Sequence, residues 1–543
     1  MDGHSQHLRE RKPANPLTRT VQEDATLRAS LPEGIASSGG SSGTSTPIPK
    51  DAPPSVVATS SARKERRAEQ RRRLFPTIDY EPRVSHFDPQ SEHTDFRGFF
   101  VLFWIGLAIM VITTALRNIR EFGYPLSLRQ RETFTANIWE MGVTDLIMAS
   151  TTCLSLPLHL LYKNGGLGGF LYWDRLGMWI QCVFQLGWIT FWTIWPFVRD
   201  WTWTAQVFFT LHLLALFMKM HSYAFYNGHL AVTLKRLNDL DDPSTATDKS
   251  AAIKYPSSHV HLNKLVQEEE EKPSETEAVR RSSVGQLRQE LAHELVSPLG
   301  GVTYPQNLTL WNYLDYLCCP TLCYEIEFPR TAKRSYMEIF WKSLAVFGCV
   351  FLLTIISDEF IIPALDESQI KLQRQQNWQD GALIFAETVS KLLWPFMLTF
   401  LLVFLVIFEY LCGAFAEITR FADRQFYTAW WNSQDWLTFS REWNIPVHNF
   451  FKRHVYSASR TTMSRPVATF ITFLISSLAH ELVMGCITRK FRGYGFIAMM
   501  LQMPIVLVQR TPYMRNKKLL NNVLFWCSMV LGLSMICALY VLV

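Results

Sequence analysis

The chain has 543 residues, of which 48% are hydrophobic and 13% aromatic, and its formal net charge is +6. This apolar content is high for a soluble protein of this size, and it is gathered in long uncharged runs. Because a helix of roughly 20 residues crosses the ~30 Å hydrocarbon core of a bilayer, these runs exclude a purely soluble domain and predict an all-α polytopic membrane protein.

Residues 1–95 are predicted to be a disordered N-terminal region. They contain the Ser-, Gly- and Pro-rich stretch SSGGSSGTSTPIPKDAPP and the basic run RKERRAEQRRR, neither of which can bury a core. No signal peptide is expected, since the first apolar run follows a long polar tract. The basic cluster just ahead of the first span favours a cytosolic N-terminus attracted to anionic lipid, and nucleic-acid binding is not expected beside so many spans.

Residues 96–543 are predicted to form a membrane-embedded core with about nine transmembrane helices. The second span contains Glu140, Asp145 and Pro157, and the sixth begins with Glu387 and Lys391, so the sequence defines the ends of these two poorly. The nine spans are predicted near residues 98–117, 139–162, 175–198, 203–228, 337–357, 381–412, 466–488, 494–510 and 520–543.

Two long polar connections fall on one side of the membrane in this arrangement. With a cytosolic N-terminus, residues 229–336 and 413–465 are both cytosolic, and the first connection includes a flexible polar insert at about 236–285. The positive-inside rule disagrees in places. The basic residues that then fall on the lumenal side are Arg117, Arg120, Arg129, Arg131, Arg489, Lys490 and Arg492.

The hexapeptide LAHELV occurs twice, and its first copy lies in the polar connection at 291–296. Val284, Leu287, Leu291 and Leu295 recur at spacings of three and four, which predicts one apolar stripe on a helix ending at Ser297 and Pro298. His293 is placed roughly 200° around that helix from Leu291, so it is expected to face water and to take no part in catalysis.

The second copy, at 478–483, lies inside the seventh span. Apart from Cys486, His480 and Glu481 are the only ionisable residues of that span, and an acidic residue at mid-bilayer costs roughly 2.5 to 3.5 kcal/mol. A functional role is therefore predicted for His480, against the alternative of a buried His bonded to a backbone carbonyl or to Ser476. Glu481 points about 100° away around the helix and is expected to anchor it to a neighbour.

Neither copy of LAHELV is a zinc site. The second His of an HExxH motif is replaced by Ser297 in one copy and by Met484 in the other. The one cluster of cysteines, at 318–323, has no further ligand at a metal-binding spacing, so no metal and no resident cofactor is predicted, and reduced, packed thiols are expected.

The segment FADRQFYTAWWNSQDWLTFSREWNIPVHNFFKRHVY, residues 421–456, is the other candidate region. An interfacial helix with aromatic and basic residues at headgroup level would explain its composition. That alternative does not explain Asn432 or His448, which together with flat aromatic side chains could line a site for an amphipathic activated ligand.

Several motifs in one order resemble the membrane-bound O-acyltransferase family, and within it the sterol branch of fungal type. They are MKMHSYAFYN, YPQNLTLWNYLDYLCCPTLCYEIEFPRT, FYTAWWNS and LAHELV, with the shorter matches IPVH, RHVY and LQMP. The resemblance extends from about Asp95 to Val543. It implies an endoplasmic reticulum membrane protein, homo-oligomeric, whose helices enclose a reaction chamber where acyl-CoA from the cytosol meets a sterol from the bilayer.

The resemblance also implies roles for individual residues. His480 is expected to be the general base and Asn432 the second catalytic residue, while acyl-CoA is a substrate rather than a cofactor. Further contacts with substrate are expected from Phe426, Tyr427, Trp430, Trp431, His448, His221, Ser222 and Glu481.

The sequence departs from the family signature FYxDWWN at Ala429, which replaces the acidic residue. We expect altered handling of acyl-CoA rather than loss of chemistry, so Ala429→Asp should change the apparent affinity for acyl-CoA more than the maximal rate, as steady-state kinetics can measure.

Two alternative functions remain open at this point. Diacylglycerol acylation by the same machinery is disfavoured because HSY stands where the sister branch has SYRxxN. A transporter or lipid-binding scaffold without chemistry is disfavoured because transporters tend to contain repeats, whereas LAHELV is the sole internal repeat found in this sequence.

Overall fold

The computed structural model describes residues 76, 78–88, 91, 97–125, 136–166, 168–241, 288, 290–375 and 377–543. The predicted basic N-terminal cluster, most of the polar insert, Val284 and Leu287 lie outside these residues. The described part is helical, with three isolated β-bridges and no named strand.

Seventeen α-helices make up the described part of the chain. In chain order they are α1 (Arg97–Phe122), α2 (Ile138–Thr151), α3 (Ser155–Asn164), α4 (Met178–Val198), α5 (Trp203–Asp241), α6 (Leu310–Cys318), α7 (Tyr336–Ile356), α8 (Ile362–Arg374), α9 (Trp378–Phe404), α10 (Cys412–Thr419), α11 (Trp436–Glu442), α12 (Ile445–Phe450), α13 (Ser457–Arg460), α14 (Arg465–Thr488), α15 (Tyr494–Gln509), α16 (Pro512–Arg515) and α17 (Lys518–Leu542). Short π-helical turns at Ser357–Ile361 and Leu405–Leu411 join α7 to α8 and α9 to α10.

A helix lies at each of the nine predicted spans, and in the described residues seven are long and apolar enough to cross a membrane. These are Arg97–Phe122, Ile138–Asn164, Trp203–Leu240, Tyr336–Arg374, Trp378–Thr419, Arg465–Thr488 and Lys518–Leu542. The polytopic all-α architecture is confirmed, but the count of nine is not. The predicted third span, α4, is rich in Trp and buries Gln181 and Gln185, and the predicted eighth, α15, has only 16 residues.

Three predicted spans are shorter than the helices that the structure has. The fourth continues past residue 228 to Asp241, while π-helical turns carry the fifth on to Arg374 and the sixth to Thr419. The sequence prediction stopped where polar residues begin, but the hydrogen-bonded helical backbone continues beyond the apolar run.

Hydrogen bonds between helix ends show which ends of neighbouring helices lie on the same side of the bundle. Near the start of α17, Asn522 reaches the segment 431–433, and Gln509 at the end of α15 reaches Trp436. At the other ends of these helices, Tyr540 and Gly493 both bond to Glu481. We call the end formed by residues 78–88, 290–335 and 420–464 the loop face, and the end around residues 489–495 the opposite face.

The largest buried cluster lies under the loop face and is dominated by aromatic rings. Burying rings of this size is the main apolar contribution to stability, and a buried tyrosine hydroxyl usually needs a hydrogen-bond partner. Tyr316 shows the pattern, since its hydroxyl donates to the carbonyl of Leu322 at 2.9 Å. The aromatic members of the cluster include Tyr223, Tyr226, Tyr304, Tyr313, Tyr316, Tyr324, Phe404, Tyr427 and Trp430.

Candidate active site

His480 lies on α14, two-thirds of the way along the helix. Its Nδ1 is 2.8 Å from the carbonyl oxygen of Ser476, one turn earlier. A carbonyl can only accept, so this contact assigns the proton to Nδ1 and leaves Nε2 as an acceptor in the neutral ring. The bond is the one expected for a structural histidine, but it uses only one of the two ring nitrogens.

The surroundings of His480 leave its ring open. The residue is exposed, and among the described residues its ring makes one hydrogen bond, to the carbonyl of Ser476. Nε2 is therefore accessible. An accessible Nε2 that acts as an acceptor is what a general base requires.

Glu481 connects α14 to two other helices. Its carboxylate accepts hydrogen bonds from the backbone N–H of Gly493 at 2.7 Å and of Phe496 at 3.1 Å, and from the Tyr540 hydroxyl at 2.7 Å. The two N–H groups belong to the N-terminus of α15, where unpaired donors and the helix dipole favour a negative charge. Glu481 therefore anchors α14 to α15 and α17, which fixes the position of His480; its contact with substrate stays a prediction.

Asn432 ends a short 3₁₀ turn, Trp430–Asn432, on the loop face. Its backbone N–H donates to the carbonyl of Ala429 at 3.0 Å, and its side chain is exposed. Among the described residues its side-chain amide makes no hydrogen bond, and none joins it to His480. The amide is thus available to a ligand.

The two tryptophans before Asn432 differ in burial. Trp430 is 1% exposed and packs edge-on against Phe400 and Trp443, whereas Trp431 is half-buried. The carbonyl of Trp431 accepts from the indole N–H of Trp526 on α17 at 3.2 Å. Trp430 therefore fixes the turn in the core, and Trp431 connects the turn to α17.

Phe426 and Tyr427 support the turn from the core side, and both are buried. The Tyr427 hydroxyl donates to Glu409 at 2.9 Å, and Ser85 lies 3.1 Å from the same hydroxyl. Sequence reasoning missed Glu409, although a lone carboxylate within the apolar run LLVFLVIFEYL was a usable signal.

A carboxylate does bond the signature turn, but it comes from Glu442 rather than from residue 429. Ser433 donates to the Glu442 carboxylate at 3.2 Å, and the backbone N–H of Thr428 donates to the Glu442 carbonyl at 2.9 Å. Burial raises the pKa of the Glu442 carboxyl above its usual value. Ala429 itself is half-buried at the start of the turn.

The HSY motif joins three separate segments. His221 lies 3.0 Å from the Gln185 side-chain oxygen through Nδ1, and its ring stacks on Phe225. The Ser222 hydroxyl accepts from the backbone N–H of Tyr324 at 2.8 Å and lies 2.8 Å from Nε2 of His454. Ser222 therefore connects α5 to the PTLCYE segment and to RHVY, and His454 is a residue that sequence reasoning quoted but did not assign.

A buried ion pair stands beside this junction. Arg453 and Glu325 are 3.0 Å apart, with side chains 2% and 1% exposed. Arg453 also donates to the Tyr324 carbonyl at 2.9 Å and lies over the Tyr226 ring. Breaking a buried pair by removing one partner typically costs about 3 to 5 kcal/mol, so the pair holds the two segments in a defined register.

His448 lies on α12 at the loop face and is half-buried. Burial, followed by the positive charges of Lys452 and Arg441, lowers the pKa of His448 to about 4, so the ring is neutral near pH 7. Lys452 and Arg441 are themselves exposed. The positive charge at this position therefore comes from these two side chains and not from His448.

The first LAHELV copy differs from its prediction in two ways. The helix ends at Glu294 rather than at Ser297, because Val296 pairs with Thr303 in an antiparallel bridge and Ser297 donates to Glu327 at 2.6 Å. His293 is half-buried rather than open to water, since the flanking leucines pack into the largest core cluster.

All ten cysteines are free, but the expected packing does not hold for all of them, since Cys182, Cys318 and Cys527 are exposed. Of the three clustered thiols, Cys319 and Cys323 are buried and Cys318 is exposed. Burial raises the pKa of the Cys323 thiol to about 12, so that group stays protonated at physiological pH.

The sequence model of the membrane-bound O-acyltransferase family matches residues 184–542. The chain is 37% identical to the probable sterol O-acyltransferase 2 of Schizosaccharomyces pombe, over 87% of this chain and 93% of the relative. It is 32% identical to the sterol O-acyltransferase 2 of Candida albicans, over 82% and 75% of the two chains. It is 31% identical to the diacylglycerol O-acyltransferase 1 of Dictyostelium discoideum, but over only 45% of this chain and 39% of the relative. The chain belongs to the membrane-bound O-acyltransferase family.

Proposed function

We propose that this protein transfers a long-chain fatty acyl group from acyl-CoA to the 3-hydroxyl of a sterol, and so makes steryl esters for storage. The observation that carries the proposal is the extent of similarity. Sterol O-acyltransferases of S. pombe and C. albicans match more than four-fifths of this chain, whereas the diacylglycerol O-acyltransferase matches less than half. Diacylglycerol acylation is therefore the weaker alternative.

In the proposed reaction His480 acts as the general base. Nε2 takes the proton of the sterol hydroxyl as the hydroxyl oxygen attacks the thioester carbonyl, and general-base assistance of this kind contributes roughly 10²- to 10⁴-fold. The tetrahedral intermediate then expels CoA as a thiolate, which receives the proton from the imidazolium. The ester forms, the thioester breaks and His480 returns to its neutral state.

Asn432 is proposed to bind the carbonyl oxygen on which negative charge develops. A side-chain amide with no internal partner can donate to that oxygen, and such donors act most strongly when they are held in place before the reaction. The tryptophans beside Asn432 exclude water, which would otherwise compete with the sterol as acceptor.

Acyl-CoA is proposed to arrive at the loop face, which is cytosolic in this proposal. The exposed side chains of Arg441 and Lys452, beside His448, offer positive charge to the phosphates of CoA. A cytosolic N-terminus in the endoplasmic reticulum membrane places this face toward the supply of acyl-CoA.

The basic residues of the opposite face oppose that orientation, because the positive-inside rule counts Lys and Arg and gives little weight to acidic partners. Arg117 pairs with Glu359 at 3.1 Å and Arg489 with Asp200 at 3.1 Å, but these pairs do not change that count. The orientation therefore rests on the basic N-terminal cluster and is tested directly. A glycosylation sequon engineered between α1 and α2 should be used in cells, while one in residues 456–464 should stay unmodified; the reverse pattern contradicts the orientation.

Homo-oligomerisation is also part of the proposal and follows from membership of the family. Light scattering of the purified protein in detergent, corrected for bound detergent, measures the mass of the polypeptide directly. A single 62.8 kDa chain would contradict self-association.

Microsomes that contain the protein, given labelled oleoyl-CoA, test the reaction. Ergosterol, diacylglycerol and a fatty alcohol are offered separately, with the His480→Ala variant as the matched control. Label should enter steryl ester in the wild type and not in the variant. Label in triacylglycerol alone would establish the diacylglycerol alternative, and no ester from any acceptor would favour a transporter or scaffold.

A further inference from the structure

Residues 78–88 precede α1 and run across the loop face as an extended segment, which we call the N-terminal strap. Its first part is bonded to the PTLCYE segment. The backbone N–H of Ile78 donates to Glu325 at 3.0 Å, and the Tyr80 hydroxyl donates to the carbonyl of Cys323 at 3.2 Å. The strap is therefore fixed to the buried Arg453–Glu325 pair.

The middle of the strap pairs with the chain just ahead of the signature turn. The backbone N–H of Arg83 donates to the Ala422 carbonyl at 3.1 Å, and the Arg83 carbonyl accepts from Arg424 at 2.9 Å. The Arg83 side chain also donates through Nε to Asp423 at 2.9 Å, within a two-pronged ion pair. Bidentate pairs of this kind fix orientation as well as distance.

Ser85 reaches the signature itself. Its hydroxyl donates to the Glu409 carboxylate at 2.5 Å and lies 3.1 Å from the Tyr427 hydroxyl, which donates to the same carboxylate oxygen. Glu409 is 8% exposed, and a buried carboxylate is costly unless donors satisfy it. Ser85 and Tyr427 therefore share one acceptor, so that a displacement of the strap displaces Tyr427.

The end of the strap contacts Trp431. The Phe87 ring stacks on Trp431 with centroids 5.9 Å apart, and the His86 ring meets Trp431 edge-on at 5.8 Å. Trp526 of α17 donates to the backbone carbonyl of Trp431. Trp431 is therefore held by the strap through its ring and by α17 through its backbone.

This clamp bears on Asn432 because that side chain has no hydrogen bond of its own among the described residues. The turn has only three residues, so the position of Asn432 follows those of its two tryptophans. Trp430 is fixed by the core, whereas Trp431 is half-buried and contacts both the strap and α17.

We infer that the N-terminal strap positions the signature turn for catalysis, with Phe87 acting through Trp431 on Asn432. Phe87 is a positioning residue and not a catalytic one, since it acts through another side chain. The inference rests on the proposed acyl transfer. It predicts that disturbing the strap lowers kcat and leaves KM nearly unchanged, because the substrates still bind while the carbonyl oxygen loses a well-placed donor.

The first test compares Phe87→Ala with Val84→Ala, a matched strap variant whose side chain is 48% exposed. In membranes or detergent, Phe87→Ala should lower kcat on the order of tenfold to 100-fold, with KM for oleoyl-CoA and ergosterol within about twofold of wild type. Val84→Ala should match wild type in both. Phe87→Tyr, which keeps the ring, should restore kcat.

A double-mutant cycle separates positioning from general support of the fold. If Phe87 acts through Trp431, then Phe87→Ala should cause little further loss of kcat in a Trp431→Phe background, since coupled residues are not additive. Additive losses, a change confined to KM, or a Phe87→Ala kcat equal to that of Val84→Ala would each overturn the inference.

Ser85→Ala provides a second variant if Phe87→Ala does not accumulate as monodisperse protein. Ser85→Ala removes one hydroxyl and should lower kcat with KM retained, and Ser85→Thr should restore kcat. An unchanged kcat in Ser85→Ala overturns the inference.

If the wild type esterifies an acceptor other than sterol, the proposed function fails, and the same comparison of kcat values is made with that acceptor. Absence of any esterification by wild type overturns both.

Discussion

The two copies of LAHELV have the same six letters and opposite arrangements. In the first copy the leucines form the core, with Leu291 at 2% and Leu295 at 0% exposure, while His293 is half-buried at its edge. In the second copy Leu478 is 55% exposed, and the His480 side chain is exposed as well. The same letters are therefore buried in one place and exposed in the other, and the surroundings of the helix decide which histidine could act as a base.

The glutamates differ in the same way. Glu294 is 1% exposed and lies 3.4 Å from Nε2 of His229, within the core beneath the loop face. Glu481 accepts from the start of α15 and from Tyr540 of α17. The first glutamate supports the packing of a loop segment, and the second fixes the helix that presents His480.

The largest expected difference between the copies is in catalysis. His480→Ala should lower ester synthesis by at least about 100-fold, because the base that accepts the sterol proton is lost. His293→Ala should stay within about twofold of wild type, as expected for a substitution away from the reacting groups. Initial rates of labelled steryl ester formation at equal protein amounts check both.

The comparison is valid only if both variants are folded to the same extent. Gel filtration in detergent checks this, because each variant should give the elution profile of the wild type. An active His480→Ala variant with an intact elution profile would remove the distinction between the copies. Loss of activity in His293→Ala alone would reverse it.

Much of the fold could be predicted from the sequence because long apolar runs have few alternatives. A helix lies over every predicted span, since an unpaired backbone cannot be exposed to lipid. The lengths were predicted less well. Residues 203–241 form one helix, yet the apolar run ends near residue 228; beyond it Leu230 and Leu237 are buried while Arg236 and Asp239 are exposed.

The sequence singles out a candidate site residue only where that residue is energetically costly in its place, and its role stays a prediction. His480 stands out within an apolar span, whereas Ser85, Phe87 and His454 have no unusual setting in the sequence. Their importance arises from contacts over more than 200 residues of chain, such as those of Ser85 with Glu409 and of His454 with Ser222. Periodicity is a local signal and contains nothing about such pairs.

The second expected difference is in stability, and here the first copy of LAHELV should be the more sensitive one. Leu291→Ala removes a buried side chain from the core and should destabilise the protein by about 2 to 5 kcal/mol. Leu478→Ala removes an exposed one and should cost less than about 0.5 kcal/mol. Thermal unfolding of the detergent-solubilised variants, followed by tryptophan fluorescence, should show a lower midpoint for Leu291→Ala only.

Equal midpoints for these two leucine variants would contradict the burial of the first copy. A lower midpoint for Leu478→Ala alone would mean that this face of α14 packs against protein in the folded state, for example against a second copy of the chain.

The smallest expected effect concerns the partners of the two glutamates. Tyr540→Phe removes one of the three donors to Glu481 and should cost about 1 kcal/mol of stability, the usual net value of one hydrogen bond. Because the two backbone donors from α15 remain, α14 should shift only slightly, and kcat should fall severalfold at unchanged KM.

His229→Gln, the matched control, disturbs the partner of Glu294 and should lower stability without changing kcat. Equal losses of kcat in the two variants would show that Glu481 supports the fold in general and does not position His480 in particular.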